Sequence, residues 1–184
     1  MAGIAIQDCD ECDILVQDVR SDDNLAGLSA SNAAAIVVRD SVFRGNGVGV
    51  VLKTLPVGEA APQRGSHILN NLIEENTSSA FAGSLATLDL PAHAGVWIAG
   101  GWFNVVEGNE ISGGAWGVLV TGFNSPAMNN RIVDNVLGAS GDAHLAWDGI
   151  GASTCFAGNV LSDGSAPETQ PRRCRIFTRA AVKR

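Results

Sequence analysis

The sequence predicts an all-β chain built as a parallel β-helix, in which short strands wind into about six stacked coils. First, a Gly-led apolar start and an Asn-bearing end recur together, as Gly95-Val96-Trp97-Ile98 with Asn109 and as Gly117-Val118-Leu119-Val120 with Asn135. Second, apolar residues alternate with period two inside each repeat, and no helical period lies between the repeats. Third, Gly is abundant at 22 residues, whereas charged residues make up 17%. This composition is typical of short strands separated by tight turns.

Each repeat is anchored on a residue that has one apolar residue three positions before it and another two positions after it. Around Asn109 these neighbours are Val106 and Ile111. The anchors predicted in this way are Gln17, Asp40, Asn71, Asn109, Asn135 and Asn159. We expect their side chains to stack at the bend between the second and third strands, where they would satisfy backbone groups that are otherwise buried without partners.

The Gly-led starts are expected to form the first strand of each coil. Besides the two quoted above they are Gly3-Ile4-Ala5-Ile6, Gly27-Leu28-Ser29-Ala30, Gly47-Val48-Gly49-Val50 and Gly149-Ile150-Gly151-Ala152. The side chains that point outward from these strands are then Ala5, Ser29, Gly49, Trp97, Leu119 and Gly151. None of them is ionisable.

The predicted β-helix covers residues 1–161, with loop insertions at 53–65 and 77–94, and residues 162–184 form an exit segment and a basic tail. Long ordered loops on a rigid scaffold are frequent locations of binding sites. An open β-helix also leaves a strand edge at each end. Because no amphipathic helix is evident to cover the N-terminal edge, we expect further domains or subunits to cap it.

The charge distribution disfavours nucleic acid as a partner. Residues 1–171 carry six basic and all nineteen acidic groups, a net charge of −13, while the other six basic residues lie in the tail. Nucleic-acid binding requires a basic surface that displaces counterions. No apolar run reaches the roughly 18–20 residues of a membrane span either.

From Gly3 to Leu161, these repeats resemble the right-handed parallel β-helix repeats of the pectate-lyase-like superfamily, which includes NosD-type periplasmic proteins and polysaccharide lyases, hydrolases and epimerases. The resemblance implies a right-handed single-stranded solenoid, a polysaccharide partner and an extracellular or periplasmic location. It also implies that a site would use the outer face of the first strands. The superfamily's catalytic signatures are missing, so no catalytic residue is carried over and enzymatic activity stays open.

The aromatic residues near that outer face are the glycan-contact candidates, namely Trp97, Trp102 and Trp116. An indole ring stacks on a sugar ring, and its N–H can bond a hydroxyl. The alternative is that insertion 77–94 folds over these rings as a satellite core. Both interpretations are compatible with the sequence.

Candidates for acid–base chemistry are Asp89 and His93 in the second insertion, and His144 and Asp148 beside the predicted first strand of the sixth coil. An Asp–His pair can act as a base and its orienting group. The alternative is that they are unrelated loop residues. His67 is expected to face solvent from a second strand.

No metal site is predicted. Cys9 and Cys12 supply two of the four ligands that a structural zinc needs, and no matching cluster follows. A disulfide between Cys155 and Cys174 stays open. The acidic run Asp8, Asp10, Glu11 and Asp13 can attract Ca²⁺ through oxygen ligands, but a solvated charge cluster is the favoured interpretation, so no cofactor is assigned.

Two functions follow from these observations. The first is a β-helix module that engages polysaccharide, with a carbohydrate lyase, epimerase or hydrolase as its enzymatic form. The alternative is a non-catalytic structural or assembly module of a larger extracellular or multimeric protein. The missing catalytic signatures and the uncovered N-terminal edge favour the alternative.

Overall fold

A computed structural model of the chain describes residues 1–87, 91, 93–167 and 174, and gives only the backbone of residues 81, 82, 85 and 87. Apart from one short helical segment, the described chain is built from strands. The predicted Asp89 and the basic tail, except for Cys174, lie outside the described residues.

The strands follow the chain through six coils. The first three coils contain β1 (Ala2–Cys9), β2 (Ile14–Gln17), β3 (Arg20–Asp22), β4 (Ala26–Ala33), β5 (Ile36–Arg39), β6 (Val42–Arg44), β7 (Val48–Lys53), β8 (His67–Leu69) and β9 (Leu72–Glu74). A 3₁₀ helix (Ser79–Phe81) and α1 (Ala82–Thr87) come next. The last three coils contain β10 (Ala94–Ala99), β11 (Val105–Glu107), β12 (Glu110–Ser112), β13 (Gly114–Thr121), β14 (Ala127–Met128), β15 (Arg131–Val133), β16 (Val136–Leu137), β17 (Ser140–Trp147), β18 (Gly151–Ala152), β19 (Cys155–Ala157) and β20 (Val160–Leu161).

These strands form three parallel six-stranded sheets that enclose one core, which confirms the predicted β-solenoid. Sheet 1 has the order β1-β4-β7-β10-β13-β17, sheet 2 the order β2-β5-β8-β11-β15-β19, and sheet 3 the order β3-β6-β9-β12-β16-β20. A two-stranded sheet of β14 and β18 lies between sheets 1 and 2. Each coil contributes one strand to each large sheet, so consecutive coils stack at the spacing of neighbouring strands, about 4.8 Å.

Apolar side chains fill the interior in columns along the rod. One column contains Leu28, Val50, Val96, Val118 and Leu145, all at most 1% exposed. The equivalent Ile4 of the first coil is only partly buried. The core is therefore closed along the middle of the rod and more open at its N-terminal end.

A column of polar side chains lies inside the bend between sheets 2 and 3. Each backbone N–H donates to the side chain one coil ahead: Val19 to Ser41 Oγ, Ser41 to Asn71 Oδ1, Asn71 to Asn109 Oδ1, Asn109 to Asn135 Oδ1 and Asn135 to Asn159 Oδ1, at 2.9–3.1 Å. We refer to the five accepting side chains, Ser41, Asn71, Asn109, Asn135 and Asn159, as the amide column. Asn109 and Asn135 are fully buried.

The assignments of Gln17 and Asp40 to this column are wrong. Gln17 pairs with Arg39 on sheet 2, two positions before the bend. Asp40 precedes Ser41 and adopts a φ of 52°, as does the equivalent Asn70 with 54°. Asp and Asn tolerate this left-handed conformation better than most residues, so Asp40 serves the turn while Ser41 occupies the column.

A column of glycines sets the register at the start of sheet 1. Its members are Gly3, Gly27, Gly49, Gly95 and Gly117. A Cβ on Gly49 would lie 2.4 Å from the carbonyl oxygen of Gly95 and 2.6 Å from Ile73 Cγ2. A side chain is excluded there because the chain bends sharply against both the next coil and the core.

The glycine column corrects two predicted starts. The third start is Gly49 rather than Gly47, so the outward residue is Val51. In the sixth coil His144 takes the glycine register, and the first strand is β17 rather than residues 149–152. No further coil follows sheet 1 beyond β17 in the described chain, so a Cβ at His144 meets no next backbone. Gly151 instead pairs with Ala127 at a corner.

Candidate functional site

The outer face of sheet 1, where the resemblance places a site, is closed and apolar in its middle coils, whereas Ala5 and Gln7 of the first coil are exposed. Val48, Val51, Ala94, Trp97 and Ala99 are at most 3% exposed and pack as one cluster. Insertion 77–94 leaves the coil beside this face, where Ser78 N–H donates to the Asn46 carbonyl, and returns where His93 N–H donates to the Gly47 carbonyl. The covered middle coils therefore interrupt this face for a polymer that would lie along the rod.

Trp97 belongs to that cluster and has no free ring face. Its exposed fraction is 3%, and its Nε1 donates to Thr121 Oγ1 at 2.9 Å. The Phe123 ring meets it edge-on with centroids 5.7 Å apart. Lys53 Nζ lies 4.4 Å from the Phe123 centroid and 5.8 Å from that of Trp97. Stacking on a sugar would require this packing to open, so Trp97 is not retained as a glycan contact.

The other two tryptophans of the predicted group lie in different environments. Trp116 is half-buried against the same apolar cluster. Trp102 lies at the corner between sheets 1 and 2, half-buried, with its Nε1 donating to Ser125 Oγ and to the Pro126 carbonyl. The three rings therefore do not line one surface.

Three of the four predicted acid–base residues, His93, His144 and Asp148, lie in the described part of the chain, and they do not form an acid–base pair. Asp148 accepts backbone N–H bonds from Gly122 and Ile150, both at 2.8 Å, so its carboxylate closes a turn. His144 lies half-buried on β17. His93 has a φ of 66°, and its buried Nδ1 has no hydrogen-bond partner among the described residues. No hydrogen bond joins an Asp to a His in the described part of the chain.

The cysteines are paired. Cys9 bonds to Cys12, and Cys155 bonds to Cys174. The described residues contain no group of three or more His, Cys, Asp or Glu side chains that could hold a metal ion. They also include no helix long and apolar enough to cross a bilayer.

Two open grooves lie side by side, one where the outer surface turns from sheet 1 to sheet 2 and one on the adjoining outer face of sheet 2. The first, of about 360 Å³, we call the Phe103 groove; it is lined by Asp10, Glu11, Ala34, Ala35, Arg64, Gly65 and Phe103. The second, of about 370 Å³, we call the Leu15 groove; it includes Leu15, Ala35, Val37, Arg39 and Leu69. They share Ala35 and together span the first four coils.

Phe103 is an exception among the residues at its position in the coil. The equivalent residues of the other coils are Asp13, Ala35, Gly65, Asn129 and Ser153, and all six have φ between 45° and 64°. A bulky residue in the left-handed region is an outlier, and it costs about 1–2 kcal/mol relative to the right-handed region. The ring is 55% exposed, so it does not complete the core.

Arg64 is held in place beside this ring. Its Nη1 donates to the carbonyls of Ala60 and Pro62, at 3.2 and 3.1 Å, and its Nη2 pairs with the carboxylate of Asp10. The first insertion, 53–65, thus positions the arginine, because Ala60 and Pro62 belong to it. A planar guanidinium has five donors, so this geometry leaves donors for a ligand.

Surface contacts away from the grooves shift the pKa values of two side chains, Arg44 and Asp163. Hydrogen bonding to Glu75 raises the pKa of Arg44 on sheet 3, and hydrogen bonds from Ser165 lower the pKa of Asp163. Both groups are exposed, where ion pairs are screened by water. Neither lies in the grooves.

The sequence contained one signal for the Phe103 groove. Phe103 stands directly before Asn104, whose Oδ1 accepts the backbone N–H of Ser66 in a second stacked polar column. In every other coil the residue before this column is small or polar. An aromatic residue at a turn position was therefore visible, whereas the contribution of Asp10 and Arg64 depends on how the first coil and the insertion fold together.

Comparison with known proteins identifies a family and a similar solved structure. The model of the family described as periplasmic copper-binding protein (NosD) matches residues 1–146. The A-module of mannuronan C-5 epimerase AlgE4 from Azotobacter vinelandii is similar in structure, with a TM-score of 0.58 and 16% identity. The alignment covers 91% of this chain and 48% of that one, so the chain spans about half of its length. At this identity the similarity shows the fold alone. No curated protein matches the chain.

Because Trp97 is buried, its truncation should reduce stability. We expect Trp97→Ala to lower the free energy of unfolding by about 3–5 kcal/mol. Trp97→Phe should cost less, because it keeps most of the packing and loses mainly the bond to Thr121. Urea unfolding followed by circular dichroism measures both variants. Unchanged stability of Trp97→Ala would contradict the burial of this ring.

Proposed function

Because the chain belongs to the NosD family, we propose that it is a non-catalytic β-helix module that engages a polysaccharide outside the cytoplasm. The carrying observation is the contrast between two outer surfaces. Apolar packing closes the middle coils of the outer face of sheet 1, whereas the corner between sheets 1 and 2 and the adjoining face of sheet 2 present two open grooves that include charged side chains. Location outside the cytoplasm is supported by the periplasmic family and by the two disulfides, which persist in oxidising compartments.

A polymer fits the shape of the grooves better than a compact ligand. The Phe103 groove takes residues from four consecutive coils, Asp10, Ala35, Gly65 and Phe103, which corresponds to roughly 14 Å along the rod. It is open to solvent and not enclosed. A short stretch of a saccharide chain can lie along such a groove and continue beyond it. The epimerase module with the similar fold acts on mannuronan, which makes a polysaccharide the ligand class to test.

The absence of catalysis is proposed from the side chains that are present. Sugar-bond cleavage needs a carboxylate pair, or a base with a neutralising cation. In the Phe103 groove Asp10 and Arg64 pair with each other, so Glu11 has neither a second free carboxylate nor an unpaired cation beside it. Asp148 is engaged by two backbone N–H groups.

Copper is implied by the description of the family, but the described residues do not fit a copper site. Copper prefers thiolate, thioether and imidazole ligands. All four cysteines are in disulfides, and the three histidines, His67, His93 and His144, lie on three separate segments and form no metal-holding group. We therefore assign this chain no copper chemistry.

The proposal predicts saccharide binding without turnover. Calorimetry with neutral, amino-bearing and uronate oligosaccharides should show binding of at least one class, with a dissociation constant on the order of 0.1–1 mM because the groove is open and shallow. Incubation with the same polymers should release neither reducing ends nor unsaturated products, with or without Ca²⁺. Turnover, or no binding in any class, would contradict the proposal.

A second candidate, assembly through the N-terminal end, is favoured by the exposure of the first coil. Strands β1, β2 and β3 pair on one side only among the described residues. Ile4, Ile6 and Ile14 are partly exposed, whereas the equivalent Leu28, Ala30 and Ile36 are fully buried. Unpaired strand edges are templates for association with another chain.

Assembly of this kind predicts concentration-dependent mass in sedimentation experiments. Lysines on an edge strand oppose pairing, so the double variant Ala5→Lys, Gln7→Lys should sediment as a monomer. Val136→Lys, at an exposed position away from the edge, is the control and should behave as wild type. If the wild-type chain is monomeric at all concentrations, the edge is not a self-association surface.

A further inference from the structure

We propose that the Phe103 groove is a subsite for an oligosaccharide that lacks carboxylates, with the Phe103 ring as its stacking surface. This inference rests on the proposed function and adds the location of the contact and the class of sugar. The surface is the corner between sheets 1 and 2, not the outer face of sheet 1. Of the predicted tryptophans, Trp102 lies at the same corner, one residue before Phe103, but it does not line the groove.

The Phe103 ring does not contribute to the packing of the core. The five equivalent turn residues are Asp13, Ala35, Gly65, Asn129 and Ser153, which are small or polar. Phenylalanine tolerates the left-handed conformation poorly, and more than half of its surface is in water. Strain retained without a packing gain is an indication of function. An exposed aromatic ring on a rigid scaffold provides a flat apolar surface for the C–H face of a sugar.

Beside the Phe103 ring there is space for a ligand. The neighbouring coils place Gly65 and then Ala35 next to Phe103 along the rod. A Cβ on Gly65 would have only the backbone nitrogen of Ala35 within 4 Å, at 3.9 Å. No side chain therefore occupies the position directly over this part of the groove. The floor of the groove consists of the small residues Gly65 and Ala35, and the Phe103 ring forms one wall.

Arg64 and Glu11 provide the polar groups of the groove. Arg64 is fixed by the carbonyls of Ala60 and Pro62 and by Asp10, so little side-chain entropy is lost when it donates to a ligand. Its side chain remains 33% exposed. Arg64 donates to hydroxyl oxygens, and Glu11 accepts from hydroxyl groups. An apolar surface opposite such polar groups is the usual composition of a ligand site.

The class of sugar follows from the charges. Asp10 and Glu11 line the groove, Asp8 and Asp13 lie within two residues of them in the sequence, and Arg64 neutralises one of the two lining carboxylates. The groove is therefore net negative. A carboxylate on every sugar unit would meet this field unfavourably. A neutral or amino-bearing oligosaccharide avoids that repulsion, so uronate polymers are excluded from this subsite.

Calorimetric titration of the whole chain with cello-oligosaccharides, chito-oligosaccharides, chitosan oligosaccharides and oligomannuronate tests the subsite. Wild type should bind at least one of the first three and not the uronate. Phe103→Ala and Phe103→Asn should each weaken binding about tenfold or more, which corresponds to about 1.4 kcal/mol. Gly65→Asn should have the same effect by filling the groove, because Asn occupies the equivalent turn position at Asn129 without difficulty.

Ile150→Ala is the matched control. Ile150 is 55% exposed, as is Phe103, but lies in the sixth coil, so this variant should bind as wild type. Circular dichroism melting confirms that each variant is folded. If wild type binds an oligosaccharide but neither Phe103 variant nor Gly65→Asn changes its affinity, the subsite is wrong while the proposed function stands. Preferential binding of oligomannuronate would overturn the assigned sugar class. If no oligosaccharide binds, the proposed function fails, and the subsite with it.

Discussion

The structure depends on how buried backbone N–H groups are satisfied where each coil bends. A three-strand coil must turn its chain at three corners, and the amide groups of the turns cannot all join a sheet. In the amide column, Asn109 Oδ1 accepts the backbone N–H of Asn71, while Asn109 Nδ2 donates to the carbonyl of Ile68 and to Asn135 Oδ1. One side chain thus serves three coils. A buried polar group left without such a partner costs about 1–3 kcal/mol.

Because these hydrogen bonds lie inside the rod, the residues that maintain the fold are different from those on the outer surface. Inside, the amide column, the glycine column and the stacked aliphatic side chains fix the coil spacing and register. Outside, the positions that point away from the sheets can vary without changing the coil. Phe103 illustrates this separation, because its neighbour Asn104 is fully buried in a polar column while Phe103 itself is largely exposed. The rigid backbone holds the ring and Arg64 in a fixed geometry, which favours binding because little order has to be imposed by the ligand.

The fold was predictable because each repeat has a pattern of residue types that few other structures require. Asn71, Asn109, Asn135 and Asn159 occupy the predicted anchor positions and show the hydrogen bonds of the column. The error in the second coil arose because Asp40 and Ser41 both satisfy the apolar spacing, and Ser41 has Val38 three positions before it and Phe43 two after it. In the sixth coil the glycine signal was misleading, because His144 stands where no further coil requires a glycine.

The candidate site was less predictable because burial of an outer face depends on long-range packing. The sequence shows that Trp97 points outward, but not that Phe123, Lys53 and the apolar cluster close over it. Both interpretations of the tryptophans were open for that reason. The Phe103 groove combines residues from four coils and one insertion, and the pairing of Arg64 with Asp10 joins positions 54 residues apart. Local periodicity contains no information on such a contact.

The most direct test of this account is the free energy of unfolding of three variants at the centre of the rod. Asn109→Ala removes the acceptor of Asn71 N–H and should cost about 3 kcal/mol, or roughly 10 °C in Tm. Asn109→Ser should cost less, because Ser41 Oγ already fills this role for Val19, and the exposed Glu110→Ala should be neutral. If Asn109→Ala is as stable as Glu110→Ala, the amide column does not hold the coils together and the account is contradicted.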